Sequence, residues 1–403
     1  MKKRIWIPLV IAFIAAAAFF TFAPGIAERD MNRIDGKPLG EVSDGAKALH
    51  ATLDIVDLHA DTLLWRRSMV HGPVLGGPRG HVDLDRLEQG NVAIQVFSSV
   101  TKTPTGQNYD SNSADGDNIT GLVIGQLQPV RTWSSLLERS KYHWAKLVQA
   151  ETDSAGRLTI LEDNFDLDAH LRQRDARGAE LIGAVLSIEG LHNLEGKIEN
   201  LDVLYEHDFR MAGLTHFFDN KLAGSMHGIE KGGLTPFGRS VVQRMEELGM
   251  IVDIAHLSKA GVADVLAMAR RPVVSSHGGV QATCEVNRNL DDDEIRGLAA
   301  TGGIIGVGYW EGAICDTSPA AVVAAMKHIR DLVGIEHVAL GSDYDGAVTV
   351  RFDTAGLVHI TQALLDAGFT TGEIRAVMGG NAIRVLREGM KPLAELPEPA
   401  TEL

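Results

Sequence analysis

The first residues able to do chemistry lie in Asp57-Leu58-His59-Ala60-Asp61-Thr62, directly after the apolar run Leu53 to Val56. In an extended strand, residues i and i+2 share a face. His59 and Asp61 would therefore project side by side, an imidazole nitrogen next to a carboxylate oxygen. That donor pair suits a divalent cation of the zinc type. The triplet alone is common, and it gains weight only from its company. Later apolar runs also end in an ionisable residue: Glu189 after Val185 to Ile188, His216 after Leu214-Thr215, and His256 after Ile251 to Ala255. His277 follows Val273 to Ser276, and Asp343 follows Gly341-Ser342. Even without His216 and Asp343, three imidazoles and two carboxylates exceed what one catalytic zinc uses. The inventory suggests two cations with a carboxylate between them, roughly 3.5–4 Å apart and sharing a hydroxide as nucleophile.

Such residues are scattered from His59 to Asp343, so the fold must gather them. Eight apolar runs have strand length: the one before His59, then Val92–Phe97, Ile182–Ile188, Met211–Leu214, Met250–Ile254, Pro272–Ser275, Ile304–Val307 and Val338–Leu340. Most are continuous rather than alternating, as expected of strands covered on both faces of a parallel sheet. Helical periods lie between them at Pro236–Leu248, Asp291–Ala300, Pro319–Val333, Asp353–Ala367 and Thr371–Glu388, with a shorter one at Asp44–Leu53. In the first of these Thr235 suits the N-cap, Pro236 the first turn and Gly249 the position after the end. Eight strands alternating with helices predict an α/β fold of the (β/α)8 TIM-barrel type. Such a barrel would bring the C-terminal strand ends onto one rim. A doubly wound open sheet is the alternative, but no G-x-G-x-x-G follows a strand. A long insertion after the second strand, Ser99 to Arg177, opens with a polar stretch and continues into the helix-like Trp133–Gln149; it is expected to cover or shape the active site.

Together these motifs resemble the membrane dipeptidase (renal dipeptidase-like) family of zinc peptidases, within the metal-dependent amidohydrolase barrels. The matching text is Asp57 to Thr62, Ser187-Ile188-Glu189-Gly190, Leu214-Thr215-His216, Gly233-Leu234-Thr235-Pro236-Phe237-Gly238, Val252 to His256, Ser276-His277, Asn287-Arg288-Asn289 and Gly341 to Gly346. The resemblance implies two zinc ions, the first held by His59 and Asp61 and the second by His256 and His277. Glu189 and a water or hydroxide would bridge them. It also implies that His216 stabilises the oxyanion of the scissile carbonyl, that Arg288 binds the terminal carboxylate of a dipeptide, and that Asp343 carries the proton. Ala255 and Gly278-Gly279 depart from the small polar residues common in the family, which bears on substrate preference and not on the ligands. Two rivals remain: another amidohydrolase activity, such as a lactamase or lactonase, and a silent binding protein on the same barrel. Arg288 argues against the first and the intact ligand set against the second. No G-x-S-x-G elbow points to a serine nucleophile.

The rest of the sequence sets the context. A net charge of −15 over 403 residues argues against nucleic acid as a partner. Met1-Lys2-Lys3-Arg4 followed by an uncharged run to Ala23 is an export address, and two readings of residues 1–27 stay open. One is a signal peptide cleaved after Gly25-Ile26-Ala27; the other is an uncleaved N-terminal membrane anchor. Either places the domain, residues 28–390, outside the cytoplasm, with a polar lead-in at its start and a polar tail at 391–403. Cys284 and Cys315 both fall after strands, where an oxidising compartment permits a bridge between them; two free buried thiols are the other reading. Tyr309 and Trp310 end the seventh strand as pocket wall or as packing. His71, His81, His227 and His359 lie off the strand ends and read as surface or loop residues. The choice between monomer and homodimer is open.

Overall fold

A computed structural model describes residues 3–70 and 79–391. Eight parallel strands close on themselves: β1 (Ile55–Ala60), β2 (Val92–Val100), β3 (Ile182–Glu189), β4 (Phe209–Gly213), β5 (Ile251–Asp253), β6 (Val274–Gly278), β7 (Ile304–Val307) and β8 (Val338–Leu340). The order runs β2-β1-β8-β7-β6-β5-β4-β3, and pairing of β2 with β3 shuts the barrel. Every residue of these strands is buried, as their continuous apolar character demands. The α/β TIM-type fold expected from the sequence is thus the one adopted, and a ninth short strand, Leu158–Ile160, adds to the outside of β3.

The connecting helices form where caps and periodicity agree. Pro236–Leu248 starts at Thr235, whose side chain accepts from Gly238 N, and stops at Gly249 in left-handed backbone (φ 81°). Asp292–Ala300 carries a full capping box between Asp291 and Glu294, and Pro319–Val333 is capped by Ser318. Two expected helices are broken. Thr371–Glu388 contains a π-helical segment, Ala376–Gly380, where Gly379 packs so closely on β1 that a Cβ would lie 1.8 Å from the Asp54 carbonyl oxygen. Asp353–Ala367 begins with a 3-10 turn at Thr354–Gly356 and becomes α-helical only at Val358–Asp366.

The lead-in differs most from expectation. An apolar helix, Lys3–Met31, crosses the 27/28 boundary without a break. Its side chains from Ile7 to Phe22 are largely exposed, whereas Pro24, Gly25 and Glu28 are buried against the barrel. Arg33–Ile34 then pairs in parallel with Thr349–Val350. The insertion after β2 supplies helices Asn118–Gly125, Leu136–Asp153 and Asn164–Arg177. Arg139, fully buried, ties it to the rim through the carbonyls of Thr101 and Thr132 and the carboxylate of Asp117.

Candidate active site

The strand ends place the candidate residues in one buried cluster at the C-terminal rim, beside a cavity of about 450 Å³. The i, i+2 argument for His59 and Asp61 holds in outcome and differs in detail. β1 stops at Ala60 and Asp61 turns into a 3-10 segment, yet His59 Nε2 lies 3.4 Å from Asp61 Oδ1. Glu189 ends β3, fixed by the unbroken register with β2 that sets Val100 beside it. Its two oxygens face different partners. Oε2 is 3.8 Å from His59 Nε2, while Oε1 is 2.8 Å from His256 Nε2, 3.3 Å from His277 Nε2 and 3.5 Å from His216 Nε2. Asp343 Oδ1 completes the first side at 3.8 Å from His59 Nε2.

Neighbouring side chains aim these groups. Asp253 Oδ2 accepts the only hydroxyl proton of Ser276 at 2.5 Å, so Ser276 Oγ can only accept from His277 Nδ1, 2.9 Å away. His277 Nε2 is then unprotonated and presents its lone pair to Glu189. Asp57 holds Ser342 in the same way at the other seam, accepting from its backbone N at 2.8 Å and its hydroxyl at 2.5 Å. His256 has left-handed backbone (φ 63°), held because its carbonyl accepts from Met226 N and Thr215 Oγ1.

A lone pair on His277 facing a carboxylate oxygen at 3.3 Å is repulsive unless a cation or proton intervenes. Among the described residues, His59 Nε2 and Asp61 Oδ1, on the side that faces Glu189 or His59, are buried without a hydrogen-bond partner and point the same way. Burial holds His216, His256 and His277 well below the usual imidazole range, in the neutral form. Burial would lower His59 too, but the carboxylates of Asp61, Glu189 and Asp343 outweigh it and hold its pKa up at about 10. Burial raises Glu189 well above the carboxylate range, with Asp61 adding to the effect. Asp343 is pushed up to about 8 by burial, with His59 opposing and Asp61 adding. The carboxylates therefore demand positive charge, and the neutral imidazoles offer lone pairs. Among the described residues, three overlapping groups could hold a metal ion: His59, Glu189 and His277; Glu189, His216 and His256; His59, Asp61 and Asp343. Glu189 belongs to two of them. The donors are nitrogen and oxygen only, since Cys284 and Cys315 are joined in a disulfide with Cα atoms 5.4 Å apart.

Arg288 lines the same cavity, buried, donating from Nη2 to the His277 carbonyl at 2.8 Å, and its Nε has no partner among the described residues. Trp310 lines the cavity as well, whereas Tyr309 is in the core against Tyr344 and Phe352. Two histidines read as surface or loop residues are fully buried. His81 accepts from Asp345 N through Nδ1, and His227 stacks on Phe217 with Nδ1 2.8 Å from the Tyr109 carbonyl. Both face carboxylates or ring partners brought by distant segments, which periodicity cannot register. His359 is half-buried and His71 lies outside the described residues. Tyr109, Phe217 and Met31 also line the cavity and were not anticipated. Tyr109 carried a faint signal as the one aromatic in the polar opening of the insertion.

A family model for membrane dipeptidases, peptidase family M19, matches residues 43–397. The chain belongs to that family, and it is a metallo-dipeptidase. Among curated proteins it is 28% identical over 399 residues to the dipeptidase aclJ of Aspergillus oryzae, covering 93% of this chain and 87% of that protein. It is 29% identical over 316 residues to the dipeptidase verJ of Clonostachys rogersoniana, covering 76% and 75%. Its fold matches the probable dipeptidase PvdM from Pseudomonas aeruginosa with a TM-score of 0.70 at 19% identity, over 86% of this chain and 98% of that one. A metallo peptidase from Rhodobacter sphaeroides, liganded with a phosphinate mimic of the dipeptide L-Ala-D-Ala, matches with a TM-score of 0.66 at 21% identity, over 84% and 99%.

Proposed function

We propose that this chain is a membrane-attached, dinuclear zinc dipeptidase acting outside the cytoplasm on dipeptides with a free C-terminal carboxylate. The observation that carries the reading is the two-sided Glu189. One oxygen faces His59, the other His256 and His277, and Arg288 opens onto the same cavity. His59 and Asp61 would hold one zinc, His256 and His277 the other, and Glu189 would bridge them. When bound, the pair of cations supplies an activated water and electrophilic polarisation of the carbonyl.

The chain's own residues do the rest. Arg288 offers a planar fork for the substrate carboxylate, buried where the pairing is least screened. His216, neutral and on the cavity wall, donates to the oxygen that becomes negative as the amide carbonyl is attacked. Asp343 takes the proton of the attacking water and passes it to the leaving amine. The insertion restricts access, with Tyr109 and Trp310 joined across the cavity by a 3.2 Å hydrogen bond. Substrate chemistry is consistent with the dipeptide mimic seen in the Rhodobacter neighbour.

Retention of the N-terminal helix as an anchor is favoured over its removal. The length and apolarity of Ile7–Met31 suit an anchor and a signal peptide alike, and what supports retention is the stem packed on the rim, with Arg66 donating to the Phe20 carbonyl at 2.7 Å. The test uses full-length protein in detergent, with metal analysis and a panel of L-L, L-D and C-terminally amidated dipeptides. The expected result is two zinc ions per chain, cleavage of free dipeptides and little cleavage of amides. Two zincs without dipeptide turnover would hand the site to another amidohydrolase reaction; no stoichiometric metal would overturn the mechanism.

A further inference from the structure

The loop that carries Asp343 follows an unusual path. Asp343, Asp345 and Ala347 all have left-handed backbone, with φ of 61°, 64° and 62°. Asp adopts that conformation more readily than most residues, but alanine does not, and three such residues at alternate positions need bracing from their surroundings. Part of the bracing comes from the barrel. Thr62 Oγ1 donates to Asp345 Oδ2 at 2.7 Å, Trp65 Nε1 to the Asp345 carbonyl at 2.7 Å, and His81 N to Asp345 Oδ1 at 2.6 Å.

The remainder comes from the stem of the N-terminal helix. Arg67, buried, forms ion pairs with both Asp345 and Glu28, and Glu28 is itself only 2% exposed. One turn further on, Asn32 Oδ1 accepts from Ala347 N at 2.9 Å. Arg33 N then donates to the Val348 carbonyl at 3.1 Å and Asp35 N to the Val350 carbonyl at 2.8 Å. The stem thus runs along the whole second half of the loop, and Met31 reaches the cavity between these contacts. If Glu28 were neutral, Arg67 would keep Asp345 as its one ion-pair partner among the described residues, and its fork would lose the second partner that fixes its orientation.

We propose that Glu28 is a positioning residue for Asp343: through Arg67 and Asp345, and together with Asn32, the helix stem holds the 342–350 loop on the path that aims Asp343 into the cleft. The inference rests on the reading of Asp343 as the proton carrier. It makes Glu28, in the last turn of the apolar helix, and Asn32, just past its end, supports of the active site, although neither contacts substrate.

The test compares full-length wild type, Glu28→Gln and Asn32→Ala in detergent micelles with zinc supplied. Three quantities are read: metal content, kcat and KM on a dipeptide, and amide hydrogen exchange of residues 342–350. Metal content should be unchanged. For Glu28→Gln kcat should fall about tenfold with KM within about twofold, since misplacement of a reacting group acts on the chemical step. Exchange in 342–350 should accelerate by at least about tenfold while the helix Pro319–Val333 keeps its wild-type protection. Asn32→Ala should do the same more weakly. Wild-type kcat and wild-type loop exchange in both variants overturn the inference. Equal acceleration everywhere also overturns it, because it signals loss of global stability. Should Glu28→Gln not fold, Asn32→Ala decides, as it removes one acceptor and no charge. A wild type that cleaves no dipeptide defeats the functional reading, and loop exchange still decides the positioning role.

Discussion

Replacing Arg288 by alanine should cost far more on a dipeptide with a free C-terminal carboxylate than on the same dipeptide amidated. Arg288 is 3% exposed, so its pairing with a carboxylate is shielded from water and salt. One of its nitrogens is already used on the His277 carbonyl, and Nε has no partner among the described residues. Charge-assisted hydrogen bonds contribute about 1.5–3 kcal/mol each. A net differential of about 2–3 kcal/mol therefore corresponds to about 30–150-fold in kcat/KM. Losing the bond to His277 also disturbs a candidate metal ligand, and that damage falls equally on both substrates. The informative quantity is the double ratio: wild type over variant, free acid over amide. Arg288→Lys keeps the charge and loses the fork, and should give about a tenfold double ratio. Steady-state kinetics on one free and amidated pair suffices. A double ratio near one, with both substrates slowed alike, would refute carboxylate recognition by Arg288 and leave it a structural support for His277.

Other outcomes rest on the same geometry. Glu189→Gln should abolish turnover and lower metal content, read by elemental analysis, because a neutral amide is a poor bridge for the proposed pair of cations. The Cys284–Cys315 bridge closes a 31-residue separation. Cys284→Ser should lower stability by up to about 4 kcal/mol by the chain-entropy estimate, measured by denaturant unfolding. Because that loop carries Arg288, reduction should also raise KM more than it lowers kcat; an unchanged KM would separate the bridge from substrate binding. Burial lowers the imidazole pKa of His50 to about 4 and of His143 to about 3. Both are thus depressed below the unfolded value, so the unfolded chain binds the extra protons and stability is lost as pH falls below about 6.5. At one pH unit lower the two together cost about 3 kcal/mol. Denaturant midpoints across that range test this, and His143→Asn should remove its share of the slope.

The barrel was legible because its strands are buried on both faces. Continuous apolar runs such as Ile182–Ile188 need no partner to be recognised, and the caps at Thr235, Asp291 and Ser318 are local chemistry. The candidate ligands were legible for a related reason: a residue that ends a barrel strand is carried to the rim by topology alone, wherever it stands in the chain. What the sequence determined by itself was therefore the fold and the residues that it would gather. Which oxygen of Glu189 faces which histidine depends on the β2–β3 register and on Ser276 fixing the His277 tautomer. Neither has a periodic signature. Tertiary structure alone decided the lead-in, which the sequence shows only as a polar stretch starting at residue 28. Glu28, Arg67 and Asp345 are separated by 39 and 278 residues, and only packing reveals that they form one buried charge network. Long-range electrostatic pairing leaves no trace in local pattern, because each partner alone is an ordinary charged residue.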